Sequence, residues 1–213
     1  MVRKRVNLAK SAATLVTLML VLVLAPGTAS AQETLETGAP PSAPKLQAGS
    51  WALVDADTGL YLAGKNPDER VSIASTTKVM VALVALEEGA NLDEEVTVSE
   101  NAASYAGSVY SNIGLYPYDR VSVGELLNAA LVPSGTDAVY ALAEHLGGGS
   151  VDEFVGSMND KAKSMGLENT RFDNPAGIDA DGNYSSARDM TEIVREAMKY
   201  PKFREIVAKP EVT

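Results

Sequence analysis

The chain of 213 residues has no cysteine, a single histidine, one tryptophan and no apolar run long enough to span a membrane comfortably. Without cysteine there are no disulfides to staple a fold, and no thiol to take a lipid after an N-terminal leader. A domain of this size can still bury a core of its own. Positive charge is also scarce, with 18 Lys and Arg against 28 Asp and Glu for a formal charge of −10. Four of these 18 sit at the start, where Arg3, Lys4, Arg5 and Lys10 precede the apolar stretch Ala12 to Ala25 and the small-residue site Ala29-Ser30-Ala31. This order predicts a signal peptide over residues 1–31, cut before Gln32, and an exported product. The alternative is an uncleaved N-terminal anchor, which the short apolar core disfavours. Losing four basic residues takes the formal charge to −14. Such a balance argues against nucleic acid and anionic lipid surfaces as partners.

Residues 32–48 are rich in Pro, Ala, Thr and Glu and read as a flexible linker. From residue 49 the pattern is that of one domain, or a large part of one. Trp51 to Ala56 and Leu60 to Lys65 predict a hairpin turning at Asp57-Thr58-Gly59. A buried helix is predicted from about Ser75 to a cap at Gly89. Val96-Thr97-Val98 suggests a short strand. Residues 100–120 show little periodicity and read as irregular surface near a site. Helices are predicted at Val123 to Leu131 and Asp137 to Leu146, separated by Val132-Pro133-Ser134-Gly135 and stopped by Gly147-Gly148-Gly149. Ser150 with Glu153 reads as a capping box, followed by the apolar face Val151, Phe154, Val155, Met158 and Ala162. Asn174-Pro175-Ala176-Gly177 predicts a turn. Ser186 with Asp189 starts a last helix, with Met190, Ile193, Val194 and Ala197 at helical spacing, which Pro201 is expected to end.

The chemistry concentrates at Ser75-Thr76-Thr77-Lys78. A serine and a lysine three apart share one face of a helix, close enough for the amine to take the hydroxyl proton. A serine at a helix start also sits at the positive end of the helix dipole. Such a pattern arises by chance about once in a chain of this size. A second copy, Ser42-Ala43-Pro44-Lys45, lies in the Pro-rich stretch, where Pro44 would spoil a helix. His145 near a helix end is poorly placed for a Ser-His-Asp triad and reads as a surface histidine facing the negative helix end. Lys78 is then the base the sequence offers, provided burial or a neighbouring cation lowers its pKa. Asp179-Ala180-Asp181-Gly182-Asn183 looks like a calcium loop at a glance. It lacks the glycine and glutamate such a loop needs, and reads as a turn. No metal or cofactor is expected. Tyr105, Tyr110, Tyr116 and Tyr118 either line a groove or cover the core.

These motifs together resemble the serine D-Ala-D-Ala carboxypeptidases, the low-molecular-mass penicillin-binding proteins. Ile73 to Lys78 is similar to the family's nucleophile segment. Leu131-Val132-Pro133-Ser134-Gly135-Thr136-Asp137-Ala138 is similar to the second motif, usually Ser-Gly-Asn or Ser-Ala-Asn followed by Asp-Ala. Met158 to Ala162, Leu167 to Phe172, Asn174 to Ile178 and Tyr184 to Met190 continue the likeness over nearly all of residues 50–200. The resemblance implies a mixed α/β (α+β) fold of the beta-lactamase/transpeptidase-like type. In it an antiparallel sheet is flanked by helices, with a helical subdomain, and residues 49–213 would be the N-terminal part of that catalytic domain. It implies Ser75 as the acyl-ester nucleophile, Lys78 as proton acceptor, Ser134 as proton relay, and the Ser75 N–H as half of an oxyanion hole. The implied partners are a peptidoglycan stem peptide and beta-lactams as covalent inhibitors, on the cell-wall side of the membrane. A membrane-associating segment would lie beyond residue 213.

Two departures bear on activity. Thr136 stands where the family usually has Asn, a substrate-binding position, and threonine lacks the amide's paired donor and acceptor. The third motif, Lys-Thr-Gly or Lys-Ser-Gly, is not found up to Thr213; its place in the family is several tens of residues further on. Turnover by residues 1–213 alone is therefore expected to be poor. Two rival readings remain: a relative that binds wall peptides without cleaving them, and a class A beta-lactamase. The second would need a water-activating glutamate, and Glu168, the residue at a suitable spacing, lies in the wrong local pattern.

Overall fold

The computed structural model describes residues 44–211, so the predicted leader, most of the linker and Ser42 and Ala43 of the first Ser-x-x-Lys copy lie outside the described residues. In chain order the elements are β1 (Trp51–Val54), β2 (Tyr61–Lys65), a 3₁₀ turn (Ala74–Thr77) running into α1 (Lys78–Glu87), β3 (Glu95–Thr97), α2 (Glu100–Ala103), a second 3₁₀ turn (Ser104–Gly107), β4 (Arg120–Ser122), α3 (Val123–Leu131), α4 (Thr136–Leu146), α5 (Val151–Ser164), α6 (Ala187–Ala197) and α7 (Pro201–Val207).

The centre of the molecule is α1. Its sequence, Val79 to Leu86, is apolar on every side, which suits a helix surrounded by others rather than one lying on a surface. Met80, Val81, Ala82, Leu83, Val84 and Ala85 are all buried. Around it pack α3, α4, α5 and α6. The helix ends in a Schellman motif: Ala90 N–H donates to Ala85 O and Gly89 N–H to Leu86 O, with Gly89 at φ 73°. The predicted cap at Gly89 is therefore where the sequence placed it. Ser122 and Glu125 form a reciprocal capping box at the start of α3, a pairing the sequence reading passed over. At α5 only one half of the expected box exists, because Ser150 accepts from Glu153 N–H but the glutamate does not reach back.

The sheets are small. β1 and β2 pair antiparallel from Trp51 opposite Lys65, with a bulge after Leu53. β1 ends two residues before the predicted Ala56, because Asp55 turns the chain: its carboxylate accepts from Thr58 N–H and Thr58 Oγ1. β3 pairs antiparallel with β4, which the sequence reading did not identify. Residues 100–120 are less irregular than expected. Ser99 caps α2 by accepting from Ala102 N–H, and Ala102 and Ala103 are buried. Pro201 does not terminate α6, which already ends at Ala197. It starts α7, a position where the missing N–H costs nothing.

Candidate active site

Ser75 lies in the 3₁₀ turn and Lys78 is the first residue of α1. The expected helix start is thus tighter than α, and in a 3₁₀ turn side chains at i and i+3 eclipse one another. Lys78 Nζ consequently reaches Ser75 Oγ at 3.2 Å. The backbone enters this turn in an unusual way. Ala74 has φ 45°, a left-handed conformation that alanine rarely adopts. The turn before it is braced from outside by the Asn174–Ile178 loop. Asn174 Oδ1 accepts from Ala176 and Ile178 N–H, and its Nδ2 donates to Ile178 O. This brings Gly177, at φ 76°, so close that a Cβ there would overlap the Ala74 carbonyl. Ser72 Oγ donates to Asp179 at 2.5 Å, pinning the same two segments.

The third contributor comes from the break between α3 and α4. Ser134 also takes a left-handed conformation, at φ 64°, and turns both its carbonyl and its hydroxyl toward the lysine. Lys78 Nζ lies 2.7 Å from Ser134 O and 2.9 Å from Ser134 Oγ. An ammonium has three donors and this one has three acceptors, all of them neutral oxygens. Lys78 is only 2 % exposed. Burial lowers its pKa from the usual 10.5 to about 8, while the negative charge of Asp137 pulls in the opposite direction. An amine with this proton affinity can serve as a base near neutral pH.

Thr136, the first residue of α4, is buried, and its N–H donates to Ser111 O at 2.7 Å. Next to it is Asp137, whose fully buried carboxylate accepts from the N–H groups of Ile113, Gly114, Leu115 and Ala138. The sequence reading gives Asp137 as a helix start and as the Asp of the second motif's Asp-Ala, with no role for its carboxylate, although an acidic residue among apolar ones in the first turn of a buried helix was a usable signal. Nor did it foresee the left-handed Ala74 and Ser134, for which neither residue type gives a cue.

The other candidates fall elsewhere. His145 Nε2 is 3.3 Å from Glu94 Oε1 and its carbonyl helps close the end of α4. Glu168 is exposed, and it is the Glu168 carbonyl, accepting from Arg70, that is tied into the structure. Asp179 serves Ser72, and no group of three metal-ligating side chains exists among the described residues. Of the four tyrosines, Tyr105 stacks on Tyr140 with ring centroids 4.1 Å apart, against the core; Tyr110, Tyr116 and Tyr118 are exposed. A cavity of about 780 Å³ borders Pro133, yet Ser75, Lys78 and Ser134 are not among its lining residues.

A serine, a buried lysine three residues on, and a second serine holding the same amine have the arrangement that a Ser–Lys form of the nucleophile-and-base constellation requires. The chain belongs to the D-alanyl-D-alanine carboxypeptidase family, peptidase S11, whose pattern it matches over residues 37–213. Among curated relatives it is 44% identical over 158 residues to the D-alanyl-D-alanine carboxypeptidase DacF of Bacillus subtilis, covering 72% of this chain and 40% of that protein. It is 42% identical over 157 residues to a D-alanyl-D-alanine carboxypeptidase of Streptomyces sp., covering 70% of this chain and 54% of the relative. The chain thus spans about half the length of these relatives. Among solved structures, the Streptomyces K15 DD-transpeptidase superposes with a TM-score of 0.73 at 41% identity, covering 78% of this chain and 66% of that one. Penicillin binding protein 5 of Haemophilus influenzae gives 0.73 at 37% identity, covering 78% and 49%. The fold is therefore that of the DD-peptidases, as the motifs implied.

Proposed function

We propose that this chain carries the acylating machinery of a serine D-Ala-D-Ala carboxypeptidase that trims peptidoglycan stem peptides. The observation that carries the reading is the shared amine: Lys78 Nζ lies within hydrogen-bond reach of both Ser75 Oγ and Ser134 Oγ. In the neutral amine, two N–H groups donate to the Ser134 oxygens and the lone pair faces Ser75 O–H. Ser75 Oγ attacks the carbonyl of the penultimate D-Ala as its proton passes to Lys78. The oxyanion is received by the Ser75 N–H, which has no backbone acceptor among the described residues. The C–N bond then breaks, a proton reaches the leaving D-Ala amine through Ser134 Oγ, and water later hydrolyses the ester. In this reading Thr136, two residues on from Ser134, is the substrate-binding residue, with a hydroxyl in place of a carboxamide. Beta-lactams acylate the same Ser75.

Names among the relatives include carboxypeptidase, endopeptidase and DD-transpeptidase, which differ in the bond attacked and the acceptor used. Hydrolysis is the reading adopted here. Residues 1–31 act as the leader and 32–48 as a tether, placing the domain on the cell-wall side of the membrane. No helix among the described residues is long and apolar enough to cross a membrane. The test is labelling of the full-length protein with a fluorescent penicillin, followed by peptide mapping. The expected adduct is on Ser75 and vanishes in Ser75→Ala. No adduct, or one on another residue, overturns the proposal. Released D-Ala from a stem pentapeptide then separates a carboxypeptidase from a protein that only binds.

A further inference from the structure

We propose that Asp137 is a positioning residue for acylation, its buried carboxylate tying the 111–115 loop to the start of α4 and carrying a negative charge that acts on Lys78 from a distance. The proposal rests on the Ser–Lys reading of the site and assigns a role to a residue outside that pair.

A carboxylate with no exposed surface is costly to desolvate unless hydrogen bonds replace its water. Asp137 meets that demand with main-chain amides alone. Oδ2 accepts from Ile113, Gly114 and Leu115 N–H at 3.1, 2.9 and 3.0 Å, and Oδ1 from Ala138 N–H at 2.9 Å. Three successive amides converging on one oxygen form an anion-binding nest. The N-cap of α4 is Gly135, which has no side chain to cap with, so the nest is more than a helix cap. The packing is close: a Cβ on Gly135 would lie 3.1 Å from Asp137 Oδ1 and 3.3 Å from Ile113 Cγ2. The same loop offers Ser111 O to the Thr136 N–H. Asp137 therefore holds the loop against the Ser134–Gly135–Thr136 segment, from which Ser134 reaches the amine.

Its charge has a second consequence. Lys78 gives its three donors to Ser75 and Ser134, not to Asp137, so the carboxylate's charge acts on the amine through space without a direct contact. Burial drives the amine toward its neutral form and Asp137 opposes it. Among the described residues, Asp137 is the charge that acts on the Lys78 amine. Asp137 thus limits how readily the base sheds its proton, in exchange for holding the loop in place.

The test uses the full-length protein and Asp137→Asn, with fluorescent-penicillin acylation followed from pH 5.5 to 10. A carboxamide keeps the shape, loses the charge and turns an N–H₂ toward amide donors. The expected result is a lower plateau together with a midpoint moved to lower pH by on the order of one unit. Two units below the wild-type midpoint, the variant would then keep about tenfold more of its own plateau rate. A lower plateau with an unmoved midpoint, or an upward shift, overturns the proposed charge effect. If Asp137→Asn fails to fold, Asp137→Ser leaves room for water at the nest and is read in the same way. Hydrogen exchange of the wild type is independent of both variants: the amides of Ile113, Gly114 and Leu115 should be protected to the level of α4, and free exchange overturns the tie. Absence of any acylation in the wild type would instead count against the proposed function and leave the exchange result to judge Asp137.

Discussion

The rate of Ser75 acylation should follow the protonation of Lys78, and the structure sets the pH at which it does so. An ordinary lysine near 10.5 would be about 0.03% neutral at pH 7, whereas a pKa of about 8 leaves about 10% in the reactive form. Burial of Lys78 thereby supplies a factor of about 300 in the concentration of usable base at neutral pH. The assay is the second-order rate constant for a fluorescent penicillin, measured on full-length protein from pH 6 to 10. The rate should climb about tenfold per unit below pH 8 and level off above it. A flat profile from pH 6 to 9, or a climb that continues past pH 10, would refute the reasoning, because either outcome means that Lys78 is not the base or is not desolvated. The same shift has a signature in stability. The folded pKa lies below the unfolded one, so between about pH 8 and 10.5 the unfolded chain binds more protons and this group favours folding increasingly as pH rises. Below pH 8 both states are protonated and the buried charge carries its full cost, ~3 kcal/mol from the size of the shift.

Lys78→Met should abolish acylation yet stabilise the fold by about 1–3 kcal/mol at pH 7, measured by urea unfolding, since an apolar chain of similar length relieves that cost. Ser134→Ala removes a 2.9 Å partner of the amine and should slow acylation by about 10²–10⁴-fold while leaving the melting temperature nearly unchanged; a rate within threefold of wild type, roughly the scatter of such assays, would remove Ser134 from the proton path. Thr136→Asn restores the amide usual at this position and should raise the acylation rate, an unchanged rate showing that the position tolerates either side chain. Gly177→Ala forces a Cβ onto the Ala74 carbonyl at a left-handed φ, and should lower both stability and labelling, with destabilisation of about 2–4 kcal/mol. Calorimetry showing wild-type stability for this last variant would mean the loop can retreat from the nucleophile turn.

What the sequence disclosed was periodicity and punctuation. The all-apolar run after Lys78, the cap at Gly89, the serine caps at residues 150 and 186 and the glycines at 147–149 each act through local geometry, and each lies where it was read. The Ser75–Lys78 contact was legible for the same reason, because a spacing of three is a contact in either kind of helix. What stayed hidden was non-local or conformational. β4 is three residues long and exists because Glu95 to Thr97 offers it a partner about 25 residues away. The convergence of Ser134 on Lys78 spans 56 residues, and the order of motifs suggested it only through a family likeness. The reading of Pro201 failed because a proline just past one helix is also a good first residue for the next.

The left-handed turn at Ser134 is what brings these parts together. In an extended or helical conformation a serine would present its hydroxyl and its carbonyl in different directions. At φ 64° both reach Nζ, so one residue supplies two of the three acceptors that the amine needs. Neither acceptor carries a charge. Had either been a carboxylate, the ammonium would have been held as an ion pair and its pKa raised, leaving almost no base at neutral pH. With neutral oxygens the amine is satisfied in both protonation states, so burial can lower its proton affinity without orphaning a donor. The nest that carries Asp137 sets a limit in the other direction, since its negative charge keeps the fall in pKa moderate. The proton affinity of Lys78 is therefore a balance between desolvation of an amine held by neutral groups and the charge of one carboxylate that bonds only to main-chain amides.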